Sequence, residues 1–137
     1  MNKTVTFKYQ QERSGILGNN IKRPVAEIFL KSKSSEWLKI HPYIDSGADT
    51  TLIPFSTGEF LGLTYKESEV VKIGGLIGTT KAIRKKVTVK IGEVEFILNV
   101  TWALTESVPA LLGRKDVFDK FDVTFKQKDG IVIFEER

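Results

Sequence analysis

Tyr43-Ile44-Asp45-Ser46-Gly47-Ala48-Asp49-Thr50-Thr51 is the stretch that decides how the rest of this chain is read. An apolar pair leads into a carboxylate, a small hydroxyl residue and a glycine follow at once, and a second carboxylate stands four residues after the first. The pattern places Asp45 where a buried strand ends in a tight turn. A carboxylate at the end of an apolar run loses water, and proteins prepare acids and bases in such surroundings. The tripeptide Asp-Ser-Gly is also ordinary turn chemistry, because an Asp side chain bonds backbone two residues on and Gly tolerates positive φ. Asp45-Ser46-Gly47 alone does not separate a catalytic loop from a turn, so the rest of the chain has to.

At 137 residues and 41% hydrophobic composition the chain is long enough for one core and short for two. A single domain, 1–137, is expected. No run approaches the roughly 18 apolar residues of a membrane span, and Met1-Asn2-Lys3-Thr4-Val5-Thr6-Phe7 lacks the apolar block of a signal peptide. The expectation is a soluble, cytoplasmic chain with no membrane segment. Cysteine is absent, which excludes disulfides, thiol catalysis and cysteine metal sites. The single histidine, His41, builds no His-rich metal cluster, and a Ser/His/Asp triad would have to use it. His41 precedes Pro42 in a strand-like run and reads as a partly exposed strand residue. Neither metal nor cofactor is expected.

Lys and Arg number 21 against 17 acidic residues, a formal charge of +4. That balance permits nucleic-acid contact without arguing for it. The densest cluster, Lys81 with Arg84-Lys85-Lys86, lies on a strand-like segment with no interleaved aromatics to stack bases. It reads as a solvated strand face, and no nucleic-acid partner is expected.

In chain order, Val5, Phe7 and Tyr9 alternate weakly and predict an edge strand within Met1 to Gln11. Glu12 to Asn20 reads as a loop. From Arg23-Pro24 a strand resumes with Ala26, Ile28 and Leu30 on one face, and Lys31 to Glu36 is a polar turn. Trp37 to Ile44 reads as the strand that delivers Asp45. Thr51-Leu52-Ile53 is a short apolar run, and Pro54 opens a brief helix that Gly58 weakens and Gly62 ends. Val70 to Ile73 leads into Gly74-Gly75-Leu76-Ile77-Gly78, a glycine-rich hairpin tip that lets backbone approach a ligand closely. An ordinary loose hairpin is the equally available reading. Val87, Val89 and Ile91 form a half-buried strand answered, across Gly92-Glu93, by Val94, Phe96, Leu98 and Val100. Trp102 to Pro109 reads as a loop, Ala110-Leu111-Leu112-Gly113 as a second apolar run, and Arg114 to Lys120 as a two-turn helix. Phe121, Val123 and Phe125 pair with Ile131 and Ile133 across Lys128-Asp129-Gly130. The sum is a mainly β domain with two short helices.

Three features thus follow in order: Ile44 to Asp49, the tip Ile73 to Gly78, and Leu111-Leu112-Gly113-Arg114 leading into a helix. In this order and spacing the sequence resembles the retropepsin-type aspartic proteases, the single-lobe family of retroviral proteases and their cellular relatives, over roughly 24–125. The resemblance implies a closed, β-barrel-like acid-protease fold that works as an obligate homodimer. It implies that Asp45 is the catalytic aspartate, that Ser46 ties the two active loops together across the dimer, and that Gly47 lets backbone pass close to substrate. By the same resemblance Ala48 and Asp49 line the substrate, Asp49 pairs with Arg114 near the dimer contact, and Gly74, Gly75, Leu76, Ile77 and Gly78 form a flap over a bound polypeptide. Leu112 and Gly113 then pack beside the active loop.

Aspartic proteolysis needs two carboxylates that share one proton. Asp116, Asp119, Asp122 and Asp129 lack the apolar-apolar-Asp-Ser-Gly context, so a second copy has to supply the second aspartate. Residues 1–22 extend beyond a minimal retroviral protease, and 121–137 form a terminal hairpin; either is a candidate for the dimer interface. The Leu52-Ile53-Pro54 helix resembles cellular and prokaryotic members more than retroviral ones. Ile53, Ile73, Leu76, Ile77 and Val108 hint at hydrophobic pockets. The alternative to an endopeptidase is a catalytically silent dimeric module that keeps the fold and binds a protein partner.

Overall fold

Alternating β-branched, aromatic and polar residues favour strands along most of the chain, and glycine and polar turns cut them short. The computed structural model describes residues 3–16, 18, 20–75 and 78–137. Its strands are β1 (Thr4–Lys8), β2 (Gln10–Arg13), β3 (Asn20–Arg23), β4 (Ile28–Lys31), β5 (Trp37–Ile40), β6 (Tyr43–Ile44), β7 (Thr51–Ile53), β8 (Val71–Gly75), β9 (Gly78–Ile91), β10 (Val94–Ala103), β11 (Leu111–Leu112), β12 (Phe121–Lys126) and β13 (Ile131–Glu136). Two short helices interrupt them, α1 (Phe55–Phe60) and α2 (Val117–Lys120).

The main sheet runs β5-β4-β9-β10-β7-β11-β6, with β8 paired to β9. Val25, just ahead of β4, bridges to Tyr43 in β6, so the sheet curls until its far strand meets the segment entering β4. The long β9–β10 hairpin turns at Gly92, whose φ of 60° suits a residue without a Cβ. A second sheet, β1-β13-β12, is built from the two ends of the chain, and β2 pairs with β3 as a separate hairpin.

Side chains from both sheets meet in one apolar cluster. Ala26, Ile28 and Leu30 are fully buried, as their alternation predicts, and Val89, Ile91, Leu98 and Val100 line the facing hairpin. Phe121 and Phe134 join them from the second sheet, edge to face at 5.6 Å. Such ring pairs add roughly 0.5–1.5 kcal/mol beyond the area they bury. The expected mainly β architecture with a barrel-like curl and two short helices is the one observed, and β12 pairs with β13 as anticipated, but in a register that sets Val123 opposite Phe134 and Phe125 opposite Val132 rather than opposite Ile131 and Ile133.

Four expectations need correction. Trp102 to Pro109 is not all loop: β10 continues through Ala103, and Trp102 is only 1% exposed, because its indole stacks on Phe55 and is capped edge-on by Tyr65. Glu12 to Asn20 is not all loop either, since Glu12 and Arg13 lie in β2 and Asn20 opens β3, in a backbone ladder that needs no apolar pattern. Trp37 to Ile44 is two strands. β5 pairs with β4 and β6 with β11, and the chain changes partners at His41-Pro42, where proline has no N–H to donate. The segment 114–120 holds a single helical turn, α2, because Asp116 stands at φ 70° and interrupts the helix before it.

Candidate active site

Asp45 lies one residue beyond β6, which enters beside β11: the Tyr43 amide donates to the Ala110 carbonyl and the Asp45 amide to the Leu112 carbonyl, both at 3.0 Å. Ile44 is buried beneath it, while the Asp45 side chain itself stays partly exposed. The turn closes as anticipated. The Gly47 amide donates to Asp45 Oδ1 at 2.9 Å, and the Ala48 amide to the Asp45 carbonyl at 3.2 Å. One carboxylate oxygen is thus fixed by a backbone donor.

The segment after β11 crosses over this loop and locks it. The Arg114 and Lys115 amides donate to the carbonyls of Ala48 and Asp49, each at 2.9 Å. Gly113 donates to Thr51 Oγ1 at 3.1 Å in a fully buried bond, and Thr50 and Thr101 share a hydroxyl hydrogen bond of 2.8 Å. A Cβ on Gly113 would stand 2.2 Å from the Thr50 carbonyl oxygen, so glycine is required where the two segments cross. The structure therefore brings Asp45, Gly47, Ala48 and Asp49 together with Leu112, Gly113 and Arg114. Arg114 Nη1 is 3.9 Å from Asp49 Oδ1, with both side chains largely exposed. Exposed pairs of this kind contribute little.

Ser46 is exposed at the outer edge of the loop. Gly74, Gly75 and Gly78 sit at the end of the β8–β9 hairpin, where Gly75 pairs with Gly78 and Gly78 has φ 141°. Leu76 and Ile77 lie outside the described residues. No backbone hydrogen bond joins that tip to the Asp45 loop among the described residues. Of the suggested pocket residues, Ile53 is fully buried in the core. β7 presents it inward, between the neighbouring strands.

Asp45 forms part of the wall of an open cleft of about 470 Å³. Pro24, Ile44, Pro109 and Leu111 supply its apolar surface, and Glu12, Arg23 and Tyr43 its polar corner. Sequence reasoning missed these last three as site residues. Arg23-Pro24 registered only as a strand entrance, and Glu12 only as loop.

No known family model matches the sequence, and no curated protein sequence matches it. Solved structures do resemble the fold. A retropepsin-like aspartic protease from Rickettsia conorii superposes with a TM-score of 0.65 at 16% identity, covering 99% of this chain and 93% of that one. The EIAV protease in complex with the inhibitor HBY-793 superposes with a TM-score of 0.57 at 21% identity, covering 72% of this chain and 88% of the viral one. The chain has the retropepsin fold, as the sequence resemblance implies.

Proposed function

We propose that this chain, with its retropepsin fold, is one half of an aspartic endopeptidase that hydrolyses extended polypeptides in a cleft on the two-fold axis of a homodimer. The observation that carries the reading is the placement of Asp45: a carboxylate in the wall of an open cleft, on a loop cross-braced by Leu112-Gly113-Arg114. Each copy contributes one Asp45. The pair shares a single proton, so one carboxylate acts as base on the attacking water while the other, protonated, donates to the peptide carbonyl. The gem-diol intermediate then collapses, the scissile C–N bond breaks and the departing amine takes up a proton.

In this mechanism the Gly47 amide holds one oxygen of the Asp45 carboxylate in place, and Ser46, exposed at the loop edge, ties the two loops across the axis. Ala48 and Asp49 border the bound peptide. The glycine-rich tip of the β8–β9 hairpin, at Gly74, Gly75 and Gly78, serves as a flap over it, since glycine backbone allows close approach. Leu112 and Gly113 support the loop from below.

The test is Asp45→Asn. A folded, dimeric variant is expected to lose on the order of 10²–10⁴ in kcat/KM against a peptide library; cleavage at the parent rate removes the reading. If the parent protein turns over no peptide between about pH 3 and 8, the range over which a carboxylate dyad works, the silent partner-binding module replaces it.

A further inference from the structure

The polar corner of the Asp45 cleft has no part in the chemistry above. Glu12 reaches it from the β2–β3 hairpin, and its Oε2 accepts from the Tyr43 hydroxyl at 2.7 Å and from Gln10 Nε2 at 3.3 Å. Its Oε1 stands 3.4 Å from Arg23 Nε. The Glu12 side chain is 22% exposed against 51% for Arg23, so the carboxylate is the sheltered member and the guanidinium the outward one. Arg23 Cζ also sits 6.0 Å from the centre of the Tyr43 ring. The hydrogen bond to Glu12, and then burial, pushes the Tyr43 hydroxyl above its usual range, which keeps it the donor in that contact.

One negative and one positive charge thus meet at the rim of a cleft whose other lining residues, apart from Tyr43 and Asp45 itself, are the apolar Pro24, Ile44, Pro109 and Leu111. Their mutual neutralisation has a consequence for what the cleft accepts. An uncompensated guanidinium there would attract an acidic side chain, and an uncompensated carboxylate a basic one. We propose, on the reading that this cleft takes a peptide, that Glu12 is a specificity-determining residue: by neutralising Arg23 and fixing Tyr43 it makes the pocket beside Asp45 select an uncharged, apolar side chain. The β2–β3 hairpin is then part of the substrate wall.

The experiment compares the full-length protein with Glu12→Gln, Arg23→Gln and the double variant. Binding is measured with non-hydrolysable reduced-amide peptides carrying Leu, Glu or Lys at each position flanking the modified bond. The Gln side chain keeps an acceptor for Tyr43 while removing the charge. The parent is expected to prefer Leu, Glu12→Gln to shift toward Glu, and Arg23→Gln to shift toward Lys, each by roughly fivefold to tenfold for a half-exposed charge. The double variant should return to the parental preference. A merely structural hairpin would weaken all peptides alike. An unchanged preference in both single variants, or no binding of any peptide, overturns the proposal. Cleavage of the matching natural peptides is scored separately. Selective binding without cleavage leaves the proposal standing and removes the peptidase reading, whereas cleavage with unchanged preference does the reverse.

Discussion

Gly113 carries more of the site than its size suggests. The absent side chain lets the segment after β11 press against the Thr50 carbonyl, and its amide holds Thr51 Oγ1 in a buried bond. A backbone carbonyl at 2.2 Å is not a neighbour that yields. Gly113→Ala is therefore expected to destabilise the fold by about 1–3 kcal/mol, the usual cost of overpacking, and to weaken peptide cleavage, because the displaced segment holds Ala48 and Asp49. Urea denaturation checks the first effect, and a variant as stable as the parent would contradict it. At this scale the sequence is legible where chemistry is local. Asp45-Ser46-Gly47 announces its own turn, and Leu112-Gly113 stands out as an apolar run ending in glycine. Glu12 and Tyr43 are 31 residues apart, and nothing in either neighbourhood tells that the hairpin folds back to join them.

Helix α1 shows what a single element hides. Gly58 in the middle of a six-residue helix reads as a weakness, yet a Cβ there would lie 2.1 Å from Trp102 Nε1. The indole takes the space and donates to the Phe55 carbonyl at 3.0 Å. Glycine is the residue that lets Trp102 pack flat beneath the helix. Helix propensity favours alanine over glycine by about 1 kcal/mol, but here packing wins. Gly58→Ala is expected to lower stability by about 1–3 kcal/mol, read by urea unfolding, with altered Trp102 fluorescence; a gain in stability would show that the helix moves aside freely. The alternation in β9 and β10 was legible because each strand has one wet face. Trp102 was not, because the end of β10 is buried on both faces and loses its period of two.

At the scale of the whole molecule, the curled sheet makes a cleft with a single Asp-Ser-Gly carboxylate in its wall. Ser46 and the Asp49–Arg114 pair stand exposed around it. One Asp-Ser-Gly loop per chain is why the proposed activity belongs to a pair of chains and not to one. The mainly β class and the two helices follow from periodicity and turn residues, and the curl from the family resemblance; the joining of both chain ends in one sheet depends on pairings far apart in sequence, such as Thr4 with Glu135. The most direct test of the shared site mixes a fixed amount of wild-type protein with a roughly ninefold excess of Asp45→Asn protein, refolded together so that the copies pair at random. Peptide cleavage per wild-type chain is expected to fall to about one tenth, because mixed dimers hold only one aspartate. A rate per wild-type chain that ignores the added variant would contradict the account.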